Sequence, residues 1–408
     1  MRIVNLCIPY PCGVYQVHVR LKSYFERHGS TLTWLGSGSE NAEKVRLHGT
    51  DDDRDGAVVA CETEDGAGRT RALVDYVRQT RPDALMFNVW GDDVDTNAAR
   101  YMPGAIPRVV IVHSNALAAY RAVRSVRDYV DAAVATSRRI AEDLNCHYGY
   151  ARDRIRYIPN GVDLSAYGVR VPWPENGILR ILSHGRVDSS SKGIFWLAGI
   201  LSKVSESTRD WELTLSGDGP DLAELKERFA RAGLLERVRF RGWTAPAEVP
   251  ALMQAHDMLL FPSTFEGFPL TIIEAMAGGC VPIASKLAGI TDSVIEHGKS
   301  GFLFPVGDVK LAARYVLELA SNRERLAALS TGAVAAASNY SVASQGAQYE
   351  ALIRESIGRP HIDFVEEPLD RWHLDKGLRP AWWYGLPEPV KNRLRIAREK
   401  LRAFAKVP

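Results

Sequence analysis

Short apolar runs alternate along this chain with longer segments whose apolar residues recur at helical spacing. In the first half the runs predict strands at residues 2–8, 31–35, 84–89, 108–112 and 132–135, with helices between them, for example at 15–28 and 68–79. Residues 155–163 are expected to form a further strand that runs into a turn. The runs are continuously apolar rather than alternating, so both faces of each strand are expected to be covered by helices. This pattern predicts a parallel, doubly wound α/β sheet.

The second half repeats the same rhythm. Strands are predicted at residues 180–183, 212–216, 238–241, 258–261 and 281–284, and helices at 194–205, 221–232, 246–254, 270–277 and 309–318. We therefore expect two Rossmann-like domains, residues 1–166 and 167–340, that face a central cleft. A helix at 341–358 is expected to cross back to the first domain, and a Trp-rich and basic helical extension occupies 359–408. Ligands in such folds bind beyond the carboxyl ends of the strands.

Composition narrows the class of protein. A content of 46% hydrophobic and 25% charged residues is typical of a soluble globular chain, and a net charge of +2 does not favour nucleic acid as a partner. The five cysteines form no CxxC pair, which argues against a disulfide framework and against a zinc site and fits the cytoplasm. We find no apolar run of the ~20 residues that a membrane span requires.

The most informative stretch runs from residue 263 to residue 282. A predicted strand ends there, a turn follows, and Pro269 is expected at the first position of the next helix. The N–H groups of Leu270 and Thr271 would then lie at the positive end of the helix dipole, where a phosphate binds well.

Two carboxylates belong to this stretch. Glu266 lies in the turn and Glu274 about one turn inside the helix, so that one could accept hydrogen bonds from sugar hydroxyls and the other from a ribose diol. The alternative is a turn residue and an ordinary acid on a helix face. The agreement of the surrounding residues favours the functional interpretation.

This context resembles the E-x7-E signature of retaining glycosyltransferases of family 4, which have the GT-B fold. Other segments resemble landmarks of the same family in the same order, namely residues 159–163, 184–186 with 192–193, 217–220, 240–243 and 301–308. The resemblance covers roughly residues 1–358 and is more specific in the second half. It implies a retaining hexosyltransferase that needs neither a metal ion nor a cofactor.

The resemblance also implies substrates and a location. The donor is a nucleoside diphosphate sugar, UDP- or GDP-linked, and the acceptor is a glycan, a glycolipid or a small glycoside. Synthesis of a cell-surface polysaccharide or glycolipid is expected, in the cytoplasm or peripherally on the inner face of the membrane.

By the same resemblance, His113, Arg186, Lys192 and Glu266 are the expected catalytic residues. The donor-binding set that it implies is Gly13, Gly185, Arg186, Lys192, Gly219, Trp243, Glu266, Gly267, Phe268, Pro269, Leu270, Thr271 and Glu274. Five residues separate Arg186 from Lys192 where the family pattern has four, so a local rearrangement of this loop is expected.

The acceptor side is less defined. Asp92, Asp93 and Tyr15 are the candidates for binding acceptor hydroxyls, and no metal ligands are predicted. The C-terminal helix, predicted at 390–407, combines a stripe of apolar residues with five cations. It either lies on an anionic membrane surface or packs on the protein or a partner.

Two other functions compete with glycosyl transfer. A non-catalytic GT-B subunit would bind a sugar or a partner enzyme without turnover, and a sugar-nucleotide epimerase would release an altered nucleotide sugar. The presence of the whole set of expected catalytic residues argues against the non-catalytic subunit.

Overall fold

The structure is a computed structural model that describes residues 1–10, 13–49, 55–89, 93–168, 177–358, 365–381 and 385–405. Contacts divide the chain into two compact units. Unit 1 comprises Met1–Gly161 and Val342–Tyr384, and unit 2 comprises Val162–Ser341 and Gly385–Pro408. The division falls between Gly161 and Val162, where the sequence placed it after residue 166. The C-terminal extension is divided between the two units.

Unit 1 is built on a parallel sheet of seven strands in the order β3-β2-β1-β4-β5-β6-β7. The strands are β1 (Arg2–Leu6), β2 (Thr31–Ser37), β3 (Ala57–Val59), β4 (Ala84–Asn88), β5 (Arg108–Val112), β6 (Ala132–Ala135) and β7 (Ile155–Tyr157). The helices between them are α1 (Gly13–Arg27), α2 (Ser39–His48), α3 (Gly66–Thr80), α4 (Asp93–Asn97), α5 (Leu117–Ser125) and α6 (Arg138–His147). All residues of β5 and β6 are buried, as expected for strands covered on both faces.

Unit 2 is built on a parallel sheet of six strands in the order β10-β9-β8-β11-β12-β13. The strands are β8 (Leu179–His184), β9 (Trp211–Ser216), β10 (Val238–Gly242), β11 (Met258–Phe261), β12 (Val281–Ser285) and β13 (Phe302–Phe304). The helices are α7 (Ser189–Lys192), α8 (Trp196–Ser205), α9 (Leu222–Arg231), α10 (Val249–Gln254), α11 (Leu270–Ala277), α12 (Val309–Ser321) and α13 (Arg323–Ala337). This is the Rossmann strand order, and the order reverses between β8 and β11.

The last two helices lie in different units. Helix α14 (Val342–Gly358) packs on α1 in unit 1, where the Tyr24 hydroxyl donates to Glu350 Oε2 at 3.1 Å. Helix α15 (Glu388–Ala405) belongs to unit 2 and packs on α7. None of the helices in the described part of the chain combines the length and the apolar character that a bilayer span requires.

Candidate active site

A partly buried ion pair lies at the switch point of unit 2, beyond the carboxyl ends of β8 and β11. Lys192, the last residue of α7, places its Nζ 2.7 Å from Glu266 Oε1. The Ser263 hydroxyl donates to the same carboxylate oxygen at 2.5 Å. The side chain of Glu266 is 8% exposed, so its charge depends on these partners. Both residues were predicted to be catalytic, and the fold brings them together.

The loop after β8 positions Lys192 through one short helical turn. Asp188 begins α7 by accepting from Ser190 N at 2.8 Å and from Ser191 Oγ at 2.9 Å. Burial acts to raise the pKa of Asp188, but these hydrogen bonds outweigh it and the pKa is lowered. The turn ends at Gly193, whose φ of 59° is left-handed. Residues 189–192 of the loop between Arg186 and Lys192 thus form a helical turn that ends at Lys192.

The loop after β11 holds α7 in place. Thr264 N donates to Ser191 O at 2.7 Å, and Thr264 Oγ1 donates to Ser190 O at 2.9 Å. Lys192 Nζ lies 5.4 Å from the centroid of the Phe261 ring, within cation–π range. The cation and the carboxylate are thus fixed by two loops that are bonded to each other.

Glycines allow the loop after β9 to pass close to the loop after β8. Gly185 N donates to Ser216 O and Val187 N to Asp218 O, both at 2.9 Å. At Gly217 φ is 139°, and a Cβ there would overlap the carbonyl oxygen of Gly185. A Cβ at Gly219 would likewise overlap the carbonyl of Val187. Gly219, which was predicted to bind the nucleotide sugar, is therefore needed for the packing of the two loops.

The remaining predicted cation, Arg186, lines a small recess, and the remaining predicted carboxylate, Glu274, lies near His184. Arg186 is exposed at the mouth, and it lines a recess of about 20 Å³ together with His184 and Lys192. Glu274 is half-buried and close enough to act on the pKa of His184, which burial lowers and Glu274 partly restores. Trp243 follows β10 and is 71% exposed.

The start of α11 corrects two details of the prediction. The helix spans Leu270–Ala277 as expected, but Pro269 occupies the N-cap position rather than the first helical position. The N–H of Leu270 donates to Phe268 O at 3.0 Å, so it is not directed at a ligand. The phosphate site expected at this helix therefore depends on Thr271. Phe268 is buried in the apolar core beside Tyr340, and Gly267 is half-buried in the turn.

In unit 1, His113 belongs to a chain of hydrogen bonds across the carboxyl ends of the strands. Its Nε2 lies 2.7 Å from Asn88 Oδ1. Asn88 Nδ2 donates to Asn5 Oδ1 at 2.7 Å and to Leu6 O at 3.2 Å. Asn5 Nδ2 donates in turn to His18 Nδ1 at 3.0 Å, and the His18 ring stacks on Tyr15 with centroids 5.3 Å apart.

These hydrogen bonds fix the tautomer of His113. Because the amide nitrogen of Asn88 is committed to two acceptors, its Oδ1 must accept, and His113 Nε2 must carry the proton. Burial lowers the pKa of His113 to about 4, so the ring is neutral at pH 7. A neutral ring protonated at Nε2 presents Nδ1 as an acceptor.

A cavity of about 440 Å³ opens beside these hydrogen-bonded residues, at the ends of β1, β2 and β4. Tyr15 and Asp93, both predicted to bind the acceptor, line it with Arg69 and Asp95, which form an ion pair at 3.3 Å. Asp92 lies outside the described residues. Among the described residues, nothing lies within 4 Å of a Cβ built at Gly13.

Sequence reasoning missed the residues that hold the predicted ones. Asp188, Ser263 and Thr264 support Lys192 and Glu266 in unit 2, and Asn5 and Asn88 support His113 in unit 1. The two asparagines gave a signal, because each interrupts an apolar strand near its carboxyl end, where an unpaired buried amide would be costly.

Two family models match the chain, one in each unit. The model described as "Glycosyltransferase Family 4" matches residues 13–166, and the one described as "Glycosyl transferases group 1" matches residues 179–322. The chain belongs to glycosyltransferase family 4. The resemblance drawn from residues 263–282 is thereby confirmed.

Curated relatives in this family have different substrates in their names. The lipopolysaccharide core biosynthesis mannosyltransferase LpsB of Rhizobium meliloti is 34% identical over 37% of this chain and 44% of its own length. The phosphatidyl-myo-inositol mannosyltransferase of Mycobacterium leprae is 34% identical over 43% of this chain and 48% of its own. The 2-deoxystreptamine glucosyltransferase of Streptomyces kanamyceticus is 28% identical over 52% and 60%. The chain thus spans about half the length of the curated relatives it matches.

Solved structures extend the likeness over most of this family 4 chain. The lipopolysaccharide outer core galactosyltransferase WaaB matches with a TM-score of 0.70 at 20% identity, over 87% of this chain and 99% of its own. HepE of Anabaena, in complex with UDP and glucose, matches with a TM-score of 0.68 at 22% identity, over 87% and 100%. At such identities the likeness concerns the fold, and it confirms the GT-B architecture.

Proposed function

We propose that this chain is a retaining hexosyltransferase that moves a sugar from a nucleoside diphosphate sugar to a hydroxyl group of an acceptor. The observation that carries the proposal is the Lys192–Glu266 pair at the switch point of unit 2, beside Arg186 and the start of α11. Charged groups converge there on the place where ligands bind in this fold class.

The cations are suited to the leaving group. When the bond between the anomeric carbon and the diphosphate breaks, negative charge gathers on the diphosphate oxygens, and fixed positive groups stabilise that charge. Arg186 offers a planar fork of donors, and Lys192 offers a point charge on a short helical turn. With two cations and the Thr271 N–H assigned to the diphosphate, the reaction proceeds without a divalent metal ion.

Lys192 can hold Glu266 and the donor at the same time. An ammonium group has three N–H donors, and the bond to Glu266 uses one of them. We assign Glu266 to the hydroxyls of the donor sugar and Glu274 to the ribose, with the backbone at Trp243 beside the base. The ion pair thereby couples recognition of the sugar to recognition of the diphosphate.

Unit 1 is assigned to the acceptor. The acceptor oxygen bonds to the anomeric carbon as the bond to the diphosphate breaks, and its proton leaves with the released nucleotide, so this side needs groups that bind hydroxyls. Tyr15 and Asp93 at the cavity of about 440 Å³ offer a phenol and a carboxylate for that purpose, and neutral His113 is assigned to the donor sugar. Relatives named for lipopolysaccharide core and for phosphatidyl-myo-inositol support a glycan or glycolipid acceptor, reached in the cytoplasm at the inner face of the membrane.

The test measures whether the protein consumes a nucleotide sugar in the absence of metal ions. Purified protein is incubated in chelator with UDP-, GDP-, ADP- and dTDP-linked hexoses, with water as the slow acceptor, and the released nucleotide is measured by chromatography. We expect one UDP- or GDP-linked donor to be consumed, with a product that first appears in the donor's anomeric configuration by NMR. Inversion, or return of an altered nucleotide sugar without release, would contradict the proposal, and the second result would indicate an epimerase.

A further inference from the structure

Helix α15 presents two chemically different sides. The side toward unit 2 carries Asn392, Ile396 and Glu399, of which Glu399 is 8% exposed. Ile396 packs against a small apolar cluster of Leu287, Ile290 and Val306. Among the side chains of α15 that the structure describes, the docked side therefore contains one large apolar residue and several polar ones.

The opposite side is more apolar than the docked side. Val390, Leu394 and Leu401 are 42%, 59% and 70% exposed. With the exposed Ala397 they recur at intervals of four, three and four residues, which places them in one stripe along the helix. A helix whose only role was to pack on unit 2 would turn these residues toward the core.

Positive charge is concentrated on this helix, and three of its cations are exposed. Residues 388–405 contain six Lys and Arg against two Glu, a net charge of +4, while the whole chain carries +2. One of the two carboxylates, Glu399, is buried, whereas Arg393, Arg398 and Lys400 are exposed beside the apolar stripe. The outer side thus combines apolar side chains with cations.

We propose that α15 docks this protein on an anionic lipid bilayer. Val390, Leu394 and Leu401 enter the boundary between headgroups and acyl chains, and Arg393, Arg398 and Lys400 bind headgroup phosphates. A nucleic acid would use the cations but leave the leucines in water. Because the helix packs on α7, which carries Lys192, the bilayer comes to lie behind the loop of the donor site.

The experiment is vesicle flotation with the full chain. Vesicles of phosphatidylglycerol and phosphatidylcholine are compared with vesicles of phosphatidylcholine alone, at low and high salt and without any nucleotide sugar. We expect binding to the anionic vesicles, little to the neutral ones, and weakening by salt because surface charges are screened. No donor is present, so failure here leaves the proposed transfer untouched, and failure of the transfer leaves this result untouched.

Matched variants identify the surface. The double change Leu394→Ser and Leu401→Ser should weaken vesicle binding about tenfold or more, because two leucines no longer leave water on docking. Leu47→Ser on α2, where the leucine is 61% exposed, is the control and should bind as the wild type does. Arg393→Gln with Lys400→Gln should weaken binding at low salt by about fivefold or more.

Three outcomes would overturn the proposal: no flotation with anionic vesicles, equal flotation of the Leu394→Ser/Leu401→Ser variant, or flotation that ignores lipid charge. If the wild type instead forms a dimer by light scattering that this variant dissociates, the stripe is a contact between copies of the chain. Thermal unfolding of each variant shows whether the fold is retained.

Discussion

The two units share one strand order and differ at its switch point. In unit 2 the loops after β8 and β11 are bonded together, carry cations and carboxylates, and leave a recess of about 20 Å³. In unit 1 the corresponding ends of β1 and β4 carry a hydrogen-bonded series of amides and imidazoles, with a neutral His113, beside a cavity of about 440 Å³. One topology therefore supports a closely bonded, charged site in one unit and an open cavity beside a neutral histidine in the other, and the loops decide which.

The largest expected effect on transfer comes from breaking an ion pair at the carboxyl ends of β8 and β11, rather than the ion pair at their amino ends. Lys192–Glu266 joins the loops at the carboxyl ends of β8 and β11, whereas Arg180–Asp257 joins the amino ends at 2.8 Å. Lys192→Ala should lower kcat/KM for transfer by about 100-fold or more, because a positive group that meets the leaving diphosphate is lost. The measurement is nucleotide release under steady-state conditions.

Arg180→Ala is the matched control for that variant. Asp257 is 1% exposed and loses its main partner, so the free energy of unfolding should fall by about 1–3 kcal/mol. Transfer per folded molecule should stay within about twofold, since ligands bind at the other end of the sheet. If both variants lost transfer activity equally, the carboxyl ends of β8 and β11 would not be more important for transfer than their amino ends.

The buried, neutral His113 of unit 1 should give a pH dependence of stability. His113 has a pKa of about 4 in the folded chain and about 6.5 when unfolded. The unfolded state therefore binds a proton first, and the free energy of unfolding should fall by at most about 3 kcal/mol as pH drops from 6.5 to 4. Denaturant unfolding of wild type and His113→Gln across this range isolates the contribution. Parallel curves for the two proteins would show that the ring is not neutralised by burial.

Substitution of one glycine in each unit compares how tightly the backbone is packed near the two sites. Gly217→Ala should cost about 1–3 kcal/mol of stability, because its φ of 139° is strained for alanine and its Cβ would overlap Gly185. Gly13→Ala, with open space around its Cβ, should change stability by less than about 0.5 kcal/mol. Thermal unfolding of the two variants compares them directly, and a stable Gly217→Ala would mean that the loops of unit 2 are not tightly joined.

The smallest expected effect concerns the tautomer of His113. Asn88→Leu removes the oxygen that accepts from Nε2, so the imidazole should populate both tautomers and kcat should fall about tenfold. Asn88→Asp keeps an acceptor and should retain the Nε2–H tautomer while raising the pKa of His113. Nitrogen NMR shifts of the ring report both effects. If the nitrogen shifts of His113 were unchanged in Asn88→Leu, a group other than Asn88 would fix the tautomer of this histidine.

Much of the fold followed from apolar runs. Strands β5, β6 and β11 and helix α11 have the predicted bounds, because the strands are continuous buried segments and the helix ends at a glycine. Strands β3 and β13 were missed, since three residues are too few to establish a period. Helices were expected between the strands of the first half, but α2, α5 and α6 were not given bounds, and α7 and α13 were not predicted.

The site was predictable where it is local. Glu266, Glu274 and the start of α11 lie within one short segment, and the sequence placed them together. The partner of Glu266 lies 74 residues away, and Asn88 lies 25 residues from His113, so only the folded sheets reveal these pairs. The bond that occupies the Leu270 N–H depends on local backbone geometry that composition does not encode.

Calorimetric titration of UDP and GDP in chelator tests the central assignment most directly. The account predicts that one nucleotide binds at a single site, that Arg186→Ala weakens binding about tenfold or more, and that Arg180→Ala binds as the wild type does. Binding that is equal in wild type, Arg186→Ala and Lys192→Ala would show that the diphosphate does not bind at the switch point of unit 2.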